Sequence, residues 1–82
     1  SAAMDYAAQR IRINAICPGL VLTPLIRKLK EEGKDWEAMS NIPMGRGAQP
    51  SEIGEVAMWL CTAGASYVTG QALSVDGGGT LV

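Results

Sequence analysis

The sequence contains no histidine, no phenylalanine and only two cysteines. Without an imidazole, the chain holds no histidine-based zinc site and no Ser–His or Cys–His nucleophile pair. The cysteines, Cys17 and Cys61, lie in apolar runs with no CxxC spacing. They read as small buried hydrophobes of a reducing compartment. An excess of either charge is also missing: 7 Lys and Arg stand against 8 Asp and Glu, and the basic residues are scattered. That balance argues against a nucleic-acid surface or a polybasic membrane patch. No apolar run reaches the length of a membrane span, and the amino end lacks a signal-peptide pattern. The expectation is a soluble, cytoplasmic protein with neither nucleic acid nor membrane as partner.

What is present suits one small domain or part of a larger one: 82 residues, 48% hydrophobic and 18% charged. SAAMDYAAQR reads as helix from its first residues without a convincing cap. Met4, Ala7, Ala8 and Ile11 fall at helical spacing, as on the final turns of a buried helix. A helix lacking its front suggests a piece of something larger. Ile11 to Cys17 then reads as a strand, with Ile11, Ile13, Ala15 and Cys17 on one side and Arg12, Asn14 and Ile16 on a more mixed side. Pro18 and Gly19 stop it. Thr23 and Pro24 are N-cap and N1 of a short amphipathic helix whose apolar side is Leu25, Ile26 and Leu29, with Gly33 as its stop. Residues 35–39 add a helical turn carrying Trp36 and Met39, and residues 42–50 are loop. A stronger helix starts at Pro50, carries the stripe Ile53, Val56, Ala57 and Leu60, and closes at Gly64. Residues 71–76 form a second strand, ended by Gly77 to Gly79.

Two strands joined through helices predict a parallel βαβ crossover and an α/β fold. A two-stranded parallel sheet is unlikely to stand alone, so further strands are expected from elsewhere. The elbow from Pro18 to Thr23 lies at the carboxyl end of the first strand, where open α/β sheets bind ligands. Its free N–H groups and the Thr23 hydroxyl suit an amide, a carbonyl or a phosphate. The plainer alternative stays open: Thr23 only caps its helix, and Pro18–Gly19 only turns the chain.

The chain also resembles a known family. IRINAICPGLVLTP is similar to the IRVNxxxPGxxxTP segment of the short-chain dehydrogenase/reductases. PMGRGAQPSEIGEVAMWLCTAGASYVTGQALSVDGG is similar to their carboxyl-terminal stretch, PLGRxGxPxEIAxxxxFLxSxxASYxTGxxxxVDGG. The match is collinear and covers essentially the whole chain. The resemblance implies a partial Rossmann-like doubly wound parallel sheet, its last two strands and their helices. Residues 1–82 would be the carboxyl-terminal part of one oxidoreductase domain that uses NAD or NADP on a small carbonyl or alcohol substrate. It implies that Pro18 and Gly19 line the nicotinamide side. The main chain of Val21 would hold the carboxamide, and Thr23 would add a hydroxyl contact. Fixing the carboxamide fixes the ring face that meets the substrate. Residues 24–42 match the variable substrate lobe, where Leu25, Ile26, Leu29, Trp36 and Met39 either form an apolar lid or pack the core.

The family's catalytic tyrosine, lysine and serine, and its Gly-rich pyrophosphate turn, match no position here, so no catalytic residue is assigned and the chain alone is expected to be inactive. Tyr6 and Arg10 imitate a YxxxK spacing but align past the family's motif, and Asn14 is read as a structural hydrogen-bonding residue. Gly77 to Gly79 follow a strand but precede no helix, so they read as a turn rather than a dinucleotide fingerprint. Arg46 is expected to fix its loop through carbonyls or a carboxylate, and the charges from Arg27 to Glu37 to form a mostly solvated face. The resemblance further implies a homodimer or homotetramer built through the last helix and strand. A non-catalytic assembly or binding fragment with the same fold is the alternative.

Overall fold

The computed structural model describes residues 1–81. Within them run α1 (Ala2–Tyr6), β1 (Ala15–Pro18), α2 (Pro24–Glu31), α3 (Trp36–Met39), α4 (Pro50–Leu60) and β2 (Ala72–Val75). Short 3-10 turns occupy Ala7–Gln9, Ala63–Ala65 and Gly79–Leu81. β1 and β2 pair in parallel, Ala15 opposite Ala72 and Pro18 opposite Val75, so the expected crossover is present.

The ladder explains where β1 begins and ends. Ala15 donates to Gln71 O at 2.8 Å and Gly19 to Val75 O at 3.2 Å. Donors toward β2 alternate along the strand, and Pro18 is out of phase with them. Its missing N–H therefore costs no ladder bond, and the strand runs through the proline instead of stopping before it. At the other end the strand starts later than Ile11, because side chains replace ladder partners there. Ile13 N–H donates to Thr69 Oγ1 at 3.1 Å, while Asn14 Nδ2 donates to Val68 O and its Oδ1 accepts from Gln71 N–H, both at 3.0 Å. Asn14 is a structural residue, as expected.

Parallel partners share a face of the sheet. Ile16 and Leu73 are paired; Ile16 lines a recess with Ala57 and Leu60, and Leu73 one with Val56 and Trp59. The face under α4 is thus the mixed one, where Arg12 and Asn14 find partners. The more apolar face, bearing Ile11, Ile13 and Cys17, is exposed. This corrects the expected burial of the cysteines. Cys17 lies on the uncovered face, and Cys61 is the C-cap of α4, beyond its buried stripe. Among the described residues the buried hydrophobic side chains are Ala3, Leu60 and Ala65. The accessible surface is 6010 Å², where a folded globular protein of this mass exposes about 4,700 Å². One face of a parallel sheet, normally covered on both, is bare.

The helices show why their boundaries fall where they do. Ser1 caps α1 after all, accepting from Met4 N–H at 3.4 Å. Met4 is exposed and Ala3 buried, so the inward stripe is not the one expected. Thr23 caps α2 by accepting from Ile26 N–H at 3.3 Å. Gly33 N–H to Lys30 O and Lys34 N–H to Leu29 O then close α2 with a Schellman pattern. Asp35 caps α3 through Ala38 N–H at 3.2 Å. At α4, Glu52 reaches back to accept from Gln49 N–H at 2.9 Å, as in a capping box. Ile53 and Val56 are half-buried and Leu60 buried, as the stripe predicts, but Ala57, the fourth residue of that stripe, is exposed. The helix ends at Leu60 rather than Gly64, because the Cys61 and Thr62 amides turn back to Met58 and Trp59 carbonyls.

Candidate functional site

The elbow is held on three sides, two by neighbouring chain segments and one by a side chain. Below it, Gly19 lies against the end of β2: a Cβ added there would sit 2.8 Å from Asp76 Cβ and 3.0 Å from Asp76 Cα. Asp76 is itself fixed, its two carboxylate oxygens accepting from Gly78 N–H at 3.0 Å and Thr80 N–H at 3.1 Å. Beside it, Ala48 forms an isolated parallel bridge with Val21. Ala48 N–H donates to Leu20 O and Ala48 O accepts from Leu22 N–H, both at 2.8 Å. Ahead of it, the Arg27 guanidinium donates to Leu22 O at 3.4 Å and to Gln49 Oε1 at 2.7 Å.

This arrangement leaves one donor over. The bridge uses the peptide groups flanking Val21, so Val21's own N–H and C=O face away from the 47–49 segment. Its carbonyl accepts from Thr23 N–H at 2.8 Å, while its N–H has no hydrogen-bond partner among the described residues. Two residues on, Thr23 Oγ1 spends an acceptor on the helix cap, which leaves the hydroxyl proton free to donate. Sequence and fold together therefore place two outward donors, a main-chain N–H and a hydroxyl, in one turn at the carboxyl end of β1. That pair fits a carboxamide oxygen or another neutral acceptor. The cap does not preclude a ligand contact at Thr23, since capping uses its lone pair and not its proton.

The lobe after the elbow is attached differently. Glu37 on α3 accepts from Lys30 Nζ at 3.1 Å and from the N–H of buried Gly47 at 3.0 Å. Arg46 forks onto Glu52 at 2.6 and 2.9 Å and donates to Gly47 O at 3.1 Å, fixing its loop as expected. Not all the charges between Arg27 and Glu37 are a solvated face, since Arg27, Lys30 and Glu37 act as clips. Of the apolar lobe residues, Ile26 lines a groove with Leu22 and Arg27 and Leu29 is half-buried. Leu25, Trp36 and Met39 are 65%, 40% and 67% exposed.

These ion pairs are not acid–base machinery. The Arg46 fork, helped by Gln49 N–H, pushes the Glu52 carboxyl down to about 2. Gly47 N–H and then Lys30 lower Glu37, and Glu37 with Asp35 raises Lys30. A carboxyl held so low donates no proton near neutrality. Among the described residues there is no group of three metal-ligating side chains. Tyr6 closes α1 ahead of β1, whereas the elbow lies beyond the strand's other end. Sequence reasoning did not reach Glu37, Gly47, Ala48 or Asp76. Only Asp76, placed just before Gly77–Gly78, carried a local turn signal.

Known proteins match this arrangement along its length. The family model described as enoyl-(acyl carrier protein) reductase matches residues 1–80. The 3-oxoacyl-[acyl-carrier-protein] reductase of Thermotoga maritima is 42% identical over 76 residues, 93% of this chain and 30% of that protein. Galactitol 2-dehydrogenase of Cereibacter sphaeroides is 42% identical over 80 residues, 96% and 32% of the two chains. The chain thus spans about three-tenths of the length of such relatives. A crystal structure of a short-chain dehydrogenase/reductase family oxidoreductase from Burkholderia thailandensis superposes with a TM-score of 0.88 at 30% identity, covering 98% of this chain and 32% of that one. A short-chain type dehydrogenase/reductase from Mycobacterium ulcerans gives 0.83 at 38% identity, covering 98% and 30%. The parallel strands and helices described above are the Rossmann-like α/β arrangement of those proteins, and the chain belongs to the short-chain dehydrogenase/reductase family.

Proposed function

We propose that residues 1–82 are the carboxyl-terminal part of one Rossmann-like domain of an NAD(P)-dependent oxidoreductase acting on a carbonyl/alcohol pair. The observation that carries this reading is the unpartnered Val21 N–H beside the free hydroxyl proton of Thr23. When bound, NAD or NADP supplies the hydride acceptor or donor that interconverts the alcohol and the carbonyl. Val21 N–H and the Thr23 hydroxyl hold the carboxamide, and Pro18 and Gly19 lie along the ring's side. Because Gly19 and Ala48 pin the elbow from two directions, the donors are fixed before the ligand arrives, so little ordering cost falls on binding. Residues 24–42 form the substrate lobe: Leu25, Trp36 and Met39 offer bare apolar surface to a small carbonyl compound, while Ile26 and Leu29 seat the lobe. No residue of this chain is given a proton-transfer role.

Cofactor affinity tests the reading on the protein as its gene expresses it. Thr23→Ser keeps both cap and donor and is expected to bind NADH or NADPH like the parent. Thr23→Val keeps the shape without the hydroxyl and is expected to bind about tenfold more weakly, as for a lost donor. Equal binding by both variants would remove the elbow from the cofactor site. The isolated 82 residues are expected to oxidise no NADH with a panel of ketones.

Assembly through α4 and β2 into a homodimer or homotetramer is supported by Met58 and Trp59, 70% and 48% exposed on α4. The free thiols suit a reducing compartment, for which we propose the cytoplasm. The same apolar helix face favours a second reading, a non-catalytic association fragment. Self-association without any affinity for NADH or NADPH would select that reading.

A further inference from the structure

Resting on that reading, we propose that Glu37 is a positioning residue that latches the substrate lobe to the cofactor elbow through the Gly47 amide. Glu37 touches neither Val21 nor Thr23. Its carboxylate accepts from the N–H of Gly47, whose next residue, Ala48, carries both hydrogen bonds that set Leu20 and Leu22. Gly47 is buried, and a Cβ there would come within 2.9 Å of Leu22 Cδ2 and 3.3 Å of Leu20 O. The segment that carries this amide therefore packs directly on the elbow, and without Glu37 the Gly47 N–H loses the hydrogen-bond partner it has among the described residues. The second Glu37 oxygen holds Lys30 of α2, which makes the latch sense both helices of the lobe. Moving the lobe away pulls Glu37 from Gly47 and frees the bridge that aims Val21. Binding at the lobe and binding at the elbow are therefore coupled, and linkage makes the coupling act in both directions.

The test compares four forms of the protein as its gene expresses it: parent, Glu37→Ala, Glu37→Gln and Lys30→Met. Affinity for NADH and NADPH, amide hydrogen exchange across residues 20–22 and 47–48, and the thermal midpoint without cofactor are measured for each. The Gln side chain still offers an oxygen to Gly47, and Lys30→Met leaves that bond untouched. Glu37→Ala is expected to weaken cofactor binding about tenfold and to speed exchange at Leu22 and Ala48 by a similar factor. Glu37→Gln and Lys30→Met are expected to stay within about threefold of the parent. A purely structural role would lower the thermal midpoint of Glu37→Ala while leaving the affinity of the folded molecules alone, and that result overturns the latch. So does a loss in Glu37→Gln equal to that in Glu37→Ala, which would make the charge the operative feature. If Glu37→Ala does not fold, Glu37→Asp, charged but one methylene short, is expected to bind several-fold more weakly; parent-like binding overturns the inference. A parent that binds neither cofactor refutes the oxidoreductase reading, and the exchange data then decide separately whether Glu37 governs the elbow.

Discussion

The elbow at residues 18–23 and the lobe that follows it are neighbours in sequence but are held by opposite means. The elbow is fixed by main chain against main chain: Gly19 on Asp76, Leu20 and Leu22 on Ala48. The lobe is fixed by side-chain clips, Glu37 to Gly47 and Lys30, with most of its apolar residues bare. Backbone contacts of the first kind tolerate no added atom, whereas the second kind gives way one bond at a time. A rigid elbow beside an adjustable lobe suits a fixed ligand end facing a variable one.

The largest expected effect follows from the tightest contact. Gly19→Ala places a methyl 2.8 Å from Asp76 Cβ, so strand ends must separate. Destabilisation of about 1–3 kcal/mol is expected, read by denaturant unfolding, together with loss of cofactor binding. Thr23→Ala comes next, at about 1 kcal/mol for a lost N-cap. Were Thr23→Ala to cost more than Gly19→Ala, the elbow would be held chiefly by α2 and would be no more rigid than the lobe.

How much of this was legible in the sequence follows from the same contrast. The Thr23 cap, Pro24 at N1 and the stop at Gly33 are contacts within a few residues, and the chain reads them out directly. The parallel pairing followed from helices lying between two apolar strands. The Ala48 bridge joins segments far apart along the chain and the Glu37–Gly47 bond spans 10 residues across a loop, and no spacing rule announces either. Burial was misjudged for a related reason. Cys17 and Met4 lie on apolar patterns, but a pattern says which residues prefer cover and not whether a layer covers them.

Acid separates the clips from the backbone contacts. Glu52 has its carboxyl at about 2 rather than the usual 4.5. A carboxyl lowered on folding contributes stability that is full above its unfolded value and is lost as pH falls through its folded value. The Arg46–Glu52 fork is therefore expected to fade between pH 4.5 and about 2, while the Gly19 and Ala48 contacts persist. Glu37, also lowered, follows the same acid limb. Lys30 is raised by its partners, so its contribution disappears only as pH rises through its elevated value. Protection factors of the Gln49 and Glu52 amides, which are exchange rates corrected for their intrinsic pH dependence, should fall across the acid window in the parent. In Glu52→Gln they should already be low and flat; a parent-like acid response there would assign the limb to another carboxylate.

The smallest expected effect on stability is the one that sharpens the lobe's role. Leu25 and Met39 are about two-thirds exposed, so Leu25→Ser and Met39→Ser remove little buried area. Each should leave the unfolding free energy within about 0.5 kcal/mol of the parent. If their surface instead meets an apolar substrate, KM for a hydrophobic carbonyl compound should rise several-fold while cofactor affinity without substrate is unchanged, because neither side chain takes part in the Glu37 clip. A small, polar ketone should show no such rise, since it gives the lost methylenes nothing to cover. Should both variants instead unfold as readily as Gly19→Ala, Leu25 and Met39 belong to a packed core, and the lobe is as rigid as the elbow.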